Sequence, residues 1–214
     1  MKLSRAEFEQ RYAENRLKIA LVGMSNIGKS YTGMRLATGF DFDLIEVDTL
    51  IREQLGQGSM EDFAAWQGQP YSEGYSEREK QSIALESKAT KQALNHQGGN
   101  AVLDTTGSVI YTDDDVRESL TKDWFVVYIS ASGDAIERLK VQYFKQPKPL
   151  IWNNFYQRKI NQSQDEAILE SYPKLLAARA KAYAALADLT IGSDVILDTK
   201  LTIEDIFQRL KPTV

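Results

Sequence analysis

Short apolar, strand-like runs recur along the chain, at KIALVG (18–23), FDLIEVD (42–48), NAVLDTTG (100–107), WFVVYIS (124–130) and DLTIGSDVILDT (188–199). A strand with one wet face alternates apolar and polar positions, so continuous runs predict parallel strands buried on both faces. Between them apolar residues return with a helical period, predicting helices near 29–38, 48–56, 72–95, 113–120, 132–145, 164–186 and 203–211. The alternation predicts a three-layer α/β/α architecture with a five-stranded, mostly parallel sheet and right-handed crossovers. Ser4 and Glu7 form an S-x-x-E capping box ahead of Phe8 and Tyr12. Residues 1–16 therefore read as a short helical extension, expected to pack on the sheet edge. No repeat or low-complexity block interrupts the pattern, and a single domain over 1–214 is expected.

The first strand runs into VGMSNIGKSYTG (22–33), where Gly23, Gly28, Lys29 and Ser30 stand at the spacing G-x-x-x-x-G-K-S. A glycine-rich turn between a buried strand and a helix turns several backbone N–H groups toward one point, and the helix dipole adds positive potential there. The pattern predicts a triphosphate cradle for ATP or GTP. It is formed by Gly23, Met24, Ser25, Asn26, Ile27, Gly28, Lys29, Ser30 and Tyr31, with Lys29 on the β- and γ-phosphates and Ser30 on Mg²⁺. The competing reading is an ordinary helix start in which Lys29 is merely solvated.

Composition narrows the partners. A net charge of -4 argues against a general nucleic-acid or anionic-membrane binder, because both require a basic surface. No apolar run approaches the ~20 residues that span a bilayer, and MKLSRAEFEQRYAENR lacks the apolar core of a signal peptide. A soluble, cytoplasmic protein is expected. With no cysteine and the single histidine His96, thiolate and multi-histidine metal sites are excluded, so a metal would be a hard ion held by oxygen. His96 reads as a helix-end or surface residue without a role.

A phosphate loop needs an acid at the end of another buried strand to complete the magnesium shell. Asp104 in AVLDTTG fits that place. Glu46 and Asp48 close the run LIEVD, two residues apart and so on one face of a strand; a shared cation or substrate hydroxyls would explain them. Glu46 as a plain surface charge and Asp48 as the N-cap of TLIREQL are the alternatives. Tyr172, Leu176, Arg179 and Tyr183 fall at 4-3-4 spacing, which puts Arg179 on an apolar helical stripe. A guanidinium there needs an anion, either a ligand carboxylate or an internal Asp.

At this point the chain resembles the shikimate kinase family. VGMSNIGKSYTGMRLA is similar to that family's phosphate loop, and LIEVDTLIREQLGQGSMEDF to its acidic strand end and the substrate region after it. WFVVYISASGDAIERL and KPLI resemble its fourth strand and lid-end motif, and LLAARAKAYAALADLTI its late arginine helix and last core strand. The resemblance implies a P-loop NTPase fold of the nucleoside-monophosphate-kinase type, an acceptor-binding helical region at about 49–95 and a lid at about 141–162. It implies ATP, Mg²⁺ and a small anionic acceptor whose hydroxyl is phosphorylated. Asp48 would bind that hydroxyl and act as base, Arg179 would hold the acceptor's anionic group, and Gly107 would lie beneath it. Lys148 would stand at the lid arginine and Arg138 near the adenine. The chain departs from the family in four places, one of them Glu46, which replaces an acid of shorter reach. DTTGS retains only Gly107 of a glycine triplet, Lys148 replaces an arginine, and Ser76 replaces a second substrate arginine, with Arg78 and Lys80 one turn on as candidates to stand in.

Overall fold

The structure is a computed structural model that describes residues 2–56, 59–145 and 150–213. In chain order its elements are α1 (Arg5–Ala13), β1 (Lys18–Val22), α2 (Lys29–Phe40), β2 (Asp43–Glu46), α3 (Val47–Gln54), α4 (Met60–Gln67) and α5 (Tyr75–Leu94). After these come β3 (Ala101–Asp104), a 3-10 turn (Val109–Tyr111), α6 (Asp114–Asp123), β4 (Phe125–Ser130), α7 (Gly133–Lys145), α8 (Gln164–Leu186), β5 (Leu189–Gly192), α9 (Ser193–Ile196) and α10 (Ile203–Leu210). The strands form one five-stranded sheet among the described residues, in the order β2-β3-β1-β4-β5 and parallel throughout rather than mostly so, with helices on both sides.

Burial follows the strand order. In the three inner strands Ile19–Val22, Ala101–Asp104 and Phe125–Ile129 are all buried, whereas β2 and β5 at the edges are partly exposed. The strand order switches sides at β1, because β2 and β3 lie on one side of it and β4 and β5 on the other, while every strand keeps the same direction. In open α/β sheets the crevice at such a switch point, outside the carboxyl ends of the strands, is where ligands bind.

Two apolar runs are longer than their strands. FDLIEVD holds β2 only to Glu46, and Val47 and Asp48 already belong to α3. DLTIGSDVILDT likewise breaks at Gly192 into β5 and α9. Helix α4 was absent from the apolar reading, yet Ser59 and Asp62 form a complete capping box at its start. The expected helix over 72–95 begins at Tyr75, after Gly74 at φ 71.

The capping box at Ser4 and Glu7 forms as expected. Helix α1 does not lie on an edge strand but closes the amino end of the sheet. Its Phe8 packs on Phe125 and Phe207, and Tyr12 packs on Phe40, Phe42 and Phe207. Asn100, just before β3, fixes this corner by accepting from Leu17 N–H at 2.8 Å and donating to the Tyr12 carbonyl at 3.1 Å. The aromatic cluster thus sits at the end of the sheet opposite the phosphate loop. Among the described residues no helix is long and apolar enough to cross a membrane.

Candidate active site

The chain leaves β1 through Gly23 at φ 147 and enters α2 after Gly28 at φ 110. A Cβ at Gly23 would stand 2.7 Å from the Ile129 carbonyl oxygen, so β4 leaves room there only for glycine. Ile27 is buried beneath the turn. Met24, Ser25, Asn26, Gly28, Lys29, Ser30 and Tyr31 face a cavity of about 420 Å³. Lys29 is buried, and its ammonium donates to the Met24 carbonyl at 2.9 Å, which draws its charge over the cup of the loop. Seven of the nine residues expected for the cradle thus line one cavity, and Gly23 and Ile27 do not.

Ser30 Oγ donates to Asp104 Oδ2 at 2.5 Å. Asp104 Oδ1 is buried and has no hydrogen-bond partner among the described residues. Burial raises the Asp104 pKa, the Lys29 charge and the Ser30 hydrogen bond oppose the rise, and the carboxylates of Asp48 and Glu46 add to it. An orphaned carboxylate oxygen beside a hydroxyl, in a cluster of acids, fits a divalent cation. Mg²⁺ needs few protein oxygens when phosphates and water complete its octahedron. No group of three His, Asp or Glu among the described residues could hold a metal by itself, which suits an ion carried in with phosphates.

Glu46 pairs with Asp104 in register across β2 and β3 but is exposed and does not line the cavity. Asp48 does line it. The shared strand face expected for these two acids is not formed, because the chain turns into α3 between them. Nor is Asp48 the N-cap. That place falls to Glu46, whose side chain makes no capping bond, and Asp48 sits in the first helical turn.

Arg179 is 3% exposed and lines the cavity. It donates from Nη1 to the Gly107 carbonyl at 2.9 Å and from Nη2 to the Ile151 carbonyl at 2.7 Å, over the Tyr111 ring. These neutral partners replace the internal Asp that was one of its two expected anions. Its Nε is buried without a partner among the described residues. Gly107 passes close under the phosphate loop, where a Cβ would lie 3.1 Å from the Ser25 nitrogen, so the one glycine kept from the triplet is the one in contact with the cradle. Tyr172, Leu176 and Tyr183 are buried with Arg179 as their spacing predicts.

The residue that sequence reasoning missed is Glu86 in α5. It is buried, lines the cavity and accepts hydrogen bonds from the hydroxyls of Thr106 and Ser108. Burial pushes its pKa from an ordinary value near 4.5 up to about 7, against the pull of those two hydroxyls, with Asp48 adding to the rise and Arg179 opposing it. A signal was present, since Tyr75, Ser82, Glu86, Ala89 and Ala93 share the buried stripe of α5 and a glutamate there is out of place. The stand-ins for the second arginine do not reach the cavity. Arg78 donates to the carbonyls of Gln67 and Glu73, and Lys80 is exposed beside Glu77.

Lys148 lies outside the described residues. The segment after it is tied to α5, with Glu79 accepting from Trp152 N–H at 2.6 Å and Asn153 N–H at 3.1 Å. Arg138 is exposed on α7, while Leu139, Gln142 and Tyr143 line the cavity, so the structure does not bring Arg138 to it.

The raised Glu86 pKa predicts a pH-dependent stability. Between about pH 4.5 and about pH 7 the folded protein keeps a proton on Glu86 that the unfolded chain has lost, so stability falls as pH rises through that window. The lowered carboxylates of the capping boxes, such as Glu7 and Asp205, act in the more acidic range instead. The expected fall in Tm from pH 5 to pH 8 is roughly 5 °C, and Glu86→Gln should flatten most of it. An equal slope in the variant would show that Glu86 is not the group responsible.

Comparison with known proteins identifies this arrangement. The shikimate kinase family model matches residues 25–211. The chain belongs to the shikimate kinase family. A shikimate kinase of Clostridium botulinum (strain 657 / Type Ba4) is 30% identical over 136 residues, which is 64% of this chain and 72% of the relative. The fold is similar to that of the shikimate kinase from Acinetobacter baumannii in complex with shikimate, with a TM-score of 0.60, 20% identity and 92% of each chain covered. It is also similar to the Bacteroides thetaiotaomicron shikimate kinase, with a TM-score of 0.61, 22% identity, and 91% of this chain and 96% of that one covered. As a shikimate kinase family member the chain has the P-loop, nucleoside-monophosphate-kinase-like fold and is an ATP-dependent small-molecule kinase that phosphorylates a hydroxyl group with Mg²⁺.

Proposed function

We propose that the chain transfers the γ-phosphoryl group of ATP to a hydroxyl of shikimate, a small ring carboxylate bearing several hydroxyls, in the cytoplasm. The observation that carries this reading is Arg179, a buried cation in the cavity whose Nε lacks a partner and which makes no ion pair with a carboxylate among the described residues, its Nη groups being held by backbone carbonyls. A carboxylate is the ligand group that satisfies it, and phosphate loop, Asp48 and Arg179 all line one cavity.

In this reading Lys29 and the N–H groups of the loop hold the transferring phosphoryl group, where fixed positive charge stabilises the transition state most. Asp48 orients the acceptor hydroxyl and takes its proton. Arg179 fixes the carboxylate end, and Gly107 bounds the acceptor from below. Ser30 and Asp104 would hold Mg²⁺, with Glu46 behind them. The bound ion supplies charge neutralisation on the phosphates. Helices α3 to α5 form the acceptor region. By the family resemblance a lid at about 141–162, with Lys148 as its cation, excludes water.

The test is ADP release driven by shikimate. Loss of a charge-assisted pair is worth about 1.5–3 kcal/mol, so Arg179→Met should raise KM for shikimate by roughly ten- to a hundredfold and leave KM for ATP unmoved. Arg179→Lys keeps the charge and loses the fork, and should fall between. Absence of shikimate-dependent ADP release, or a KM insensitive to both substitutions, would overturn the assignment.

A further inference from the structure

Thr106 and Ser108 flank Gly107 on the loop after β3, and both line the cavity together with Glu86. Thr106 Oγ1 donates to one carboxylate oxygen of Glu86 and Ser108 Oγ donates to the other. The Thr106 oxygen also accepts from Ser108 N–H at 3.1 Å. Each hydroxyl has a single hydrogen, and with Glu86 ionised both hydrogens are spent on the carboxylate. What remains toward the cavity is lone pairs only. A second, independent feature of the same cavity has the opposite polarity, the unpartnered and buried Nε of Arg179. Its two Nη groups are held by the carbonyl of Gly107, on the loop that carries the two hydroxyls, and by that of Ile151.

We infer that Glu86, Thr106 and Ser108 form a specificity subsite that reads a hydroxyl of the acceptor, with Glu86 as a positioning residue that fixes the two hydroxyls as hydrogen-bond acceptors. The subsite admits a ligand O–H, which donates to Thr106 or Ser108. It rejects an ether, carbonyl or carboxylate at that place, because two lone pairs would meet. The cavity therefore sets two ligand groups side by side, a negative group toward Arg179 and a donating hydroxyl toward Thr106 and Ser108. The device replaces a backbone floor by a side-chain floor. Glu86 comes from α5 and the hydroxyls from the β3 loop, and neither part has the same effect without the other, since a hydroxyl without the carboxylate is free to rotate and donate. The inference rests on the acceptor reading given above and deepens it from an anionic metabolite to one with a hydroxyl placed at a fixed distance from its anionic group.

Glu86→Gln tests the polarity with almost no change of shape. The introduced amide can accept from one hydroxyl but must donate to the other, which then turns its own hydrogen into the cavity. The experiment measures ADP release at pH 8 with shikimate, with ring hydroxy acids each lacking one hydroxyl, and with their methyl ethers, for the unsubstituted protein, Glu86→Gln and Thr106→Val. For the unsubstituted protein one deoxy analogue and the matching ether should show KM raised about tenfold or more over the parent. In Glu86→Gln that discrimination should shrink to within about threefold, with KM for the parent raised, KM for ATP unchanged and the effect falling on KM more than on kcat. Thr106→Val should reproduce the loss if Thr106 is the contact, and Ser108→Ala if Ser108 is. Equal discrimination in the unsubstituted protein and in Glu86→Gln would overturn the inference. Turnover of another ring hydroxy acid with none of shikimate would overturn the acceptor assignment alone, the comparison then being made on that acceptor. Turnover with no acceptor would overturn both.

Discussion

Lys29→Met is expected to lower turnover by roughly a thousandfold, the scale of losing one preorganised group that faces developing charge. It should also remove the rise in Tm that ATP and Mg²⁺ give the unsubstituted protein. The reasoning starts from burial. Lys29 is 6% exposed, and its ammonium lies over the loop on the Met24 carbonyl rather than out in water. Methionine keeps the buried stem and deletes only the charge, so packing beneath α2 survives. A ligand at a hundred times its Kd stabilises the native state by about 2.7 kcal/mol, or some 5–10 °C for a domain of this size. In the variant the backbone N–H groups of the loop remain but the local cation does not, and the shift should shrink to a degree or two. Unfolding without ligand should stay close to that of the unsubstituted protein. A variant that keeps both its thermal response to ATP and its turnover would show that the cradle is not where phosphate is held.

The nucleotide half of the site was legible in the sequence because its geometry is local. A strand, a turn and a helix consecutive in the chain fix the cradle, so the spacing of Gly23, Gly28, Lys29 and Ser30 carries nearly all the information. Asp104 needed one more inference, that the acid ends another buried strand, and the register of β1 against β3 shows that this strand lies beside the first. The acceptor half was legible only in parts. Arg179 showed itself as a charge on an apolar stripe, but its real partners are carbonyls of Gly107 and Ile151, 72 and 28 residues away. Glu86 depends on Thr106 and Ser108, 20 and 22 residues on and in a different element, and no periodicity links them. The same limit explains the misplaced strand end at Asp48. Apolar and polar residues mix from Leu44 through Ile51 with no mark at the boundary, and what changes at Val47 is the hydrogen-bonding partner, since β3 ends its pairing with β2 at Asp104. Helix α4 was overlooked although Met60, Phe63, Ala64, Ala65 and Trp66 make five of its eight residues apolar and Ser59 and Asp62 wrote its start plainly.

Asp48→Asn is expected to cut turnover by a hundredfold or more while Tm moves by about 2 °C at most. Asparagine is nearly the same shape, so the two outcomes separate chemistry from structure. Had Asp48 been the N-cap, asparagine would have served as well and no loss of activity would follow from capping. The structure removes that ambiguity, for the cap position is Glu46 and Asp48 sits in the first turn of α3, exposed to the cavity and without a hydrogen bond or ion pair among the described residues. Its structural contribution is then limited to a favourable charge near a helix N-terminus, about 0.3–1 kcal/mol at an exposed position. Its chemical contribution is as the acid in the cavity that stands apart from the Ser30–Asp104 pair and from the Thr106–Glu86–Ser108 cluster, which leaves its carboxylate open to an acceptor hydroxyl. The variant carries an internal control. Because Asp48 raises the pKa of both Glu86 and Asp104, neutralising it should lower them and reduce the loss of stability between pH 5 and pH 8. A flattened pH profile with unchanged turnover would place Asp48 in the electrostatics of the cavity and out of the reaction. A flattened profile with turnover lost would place it in both, which is the result the geometry requires of a base that faces the acceptor.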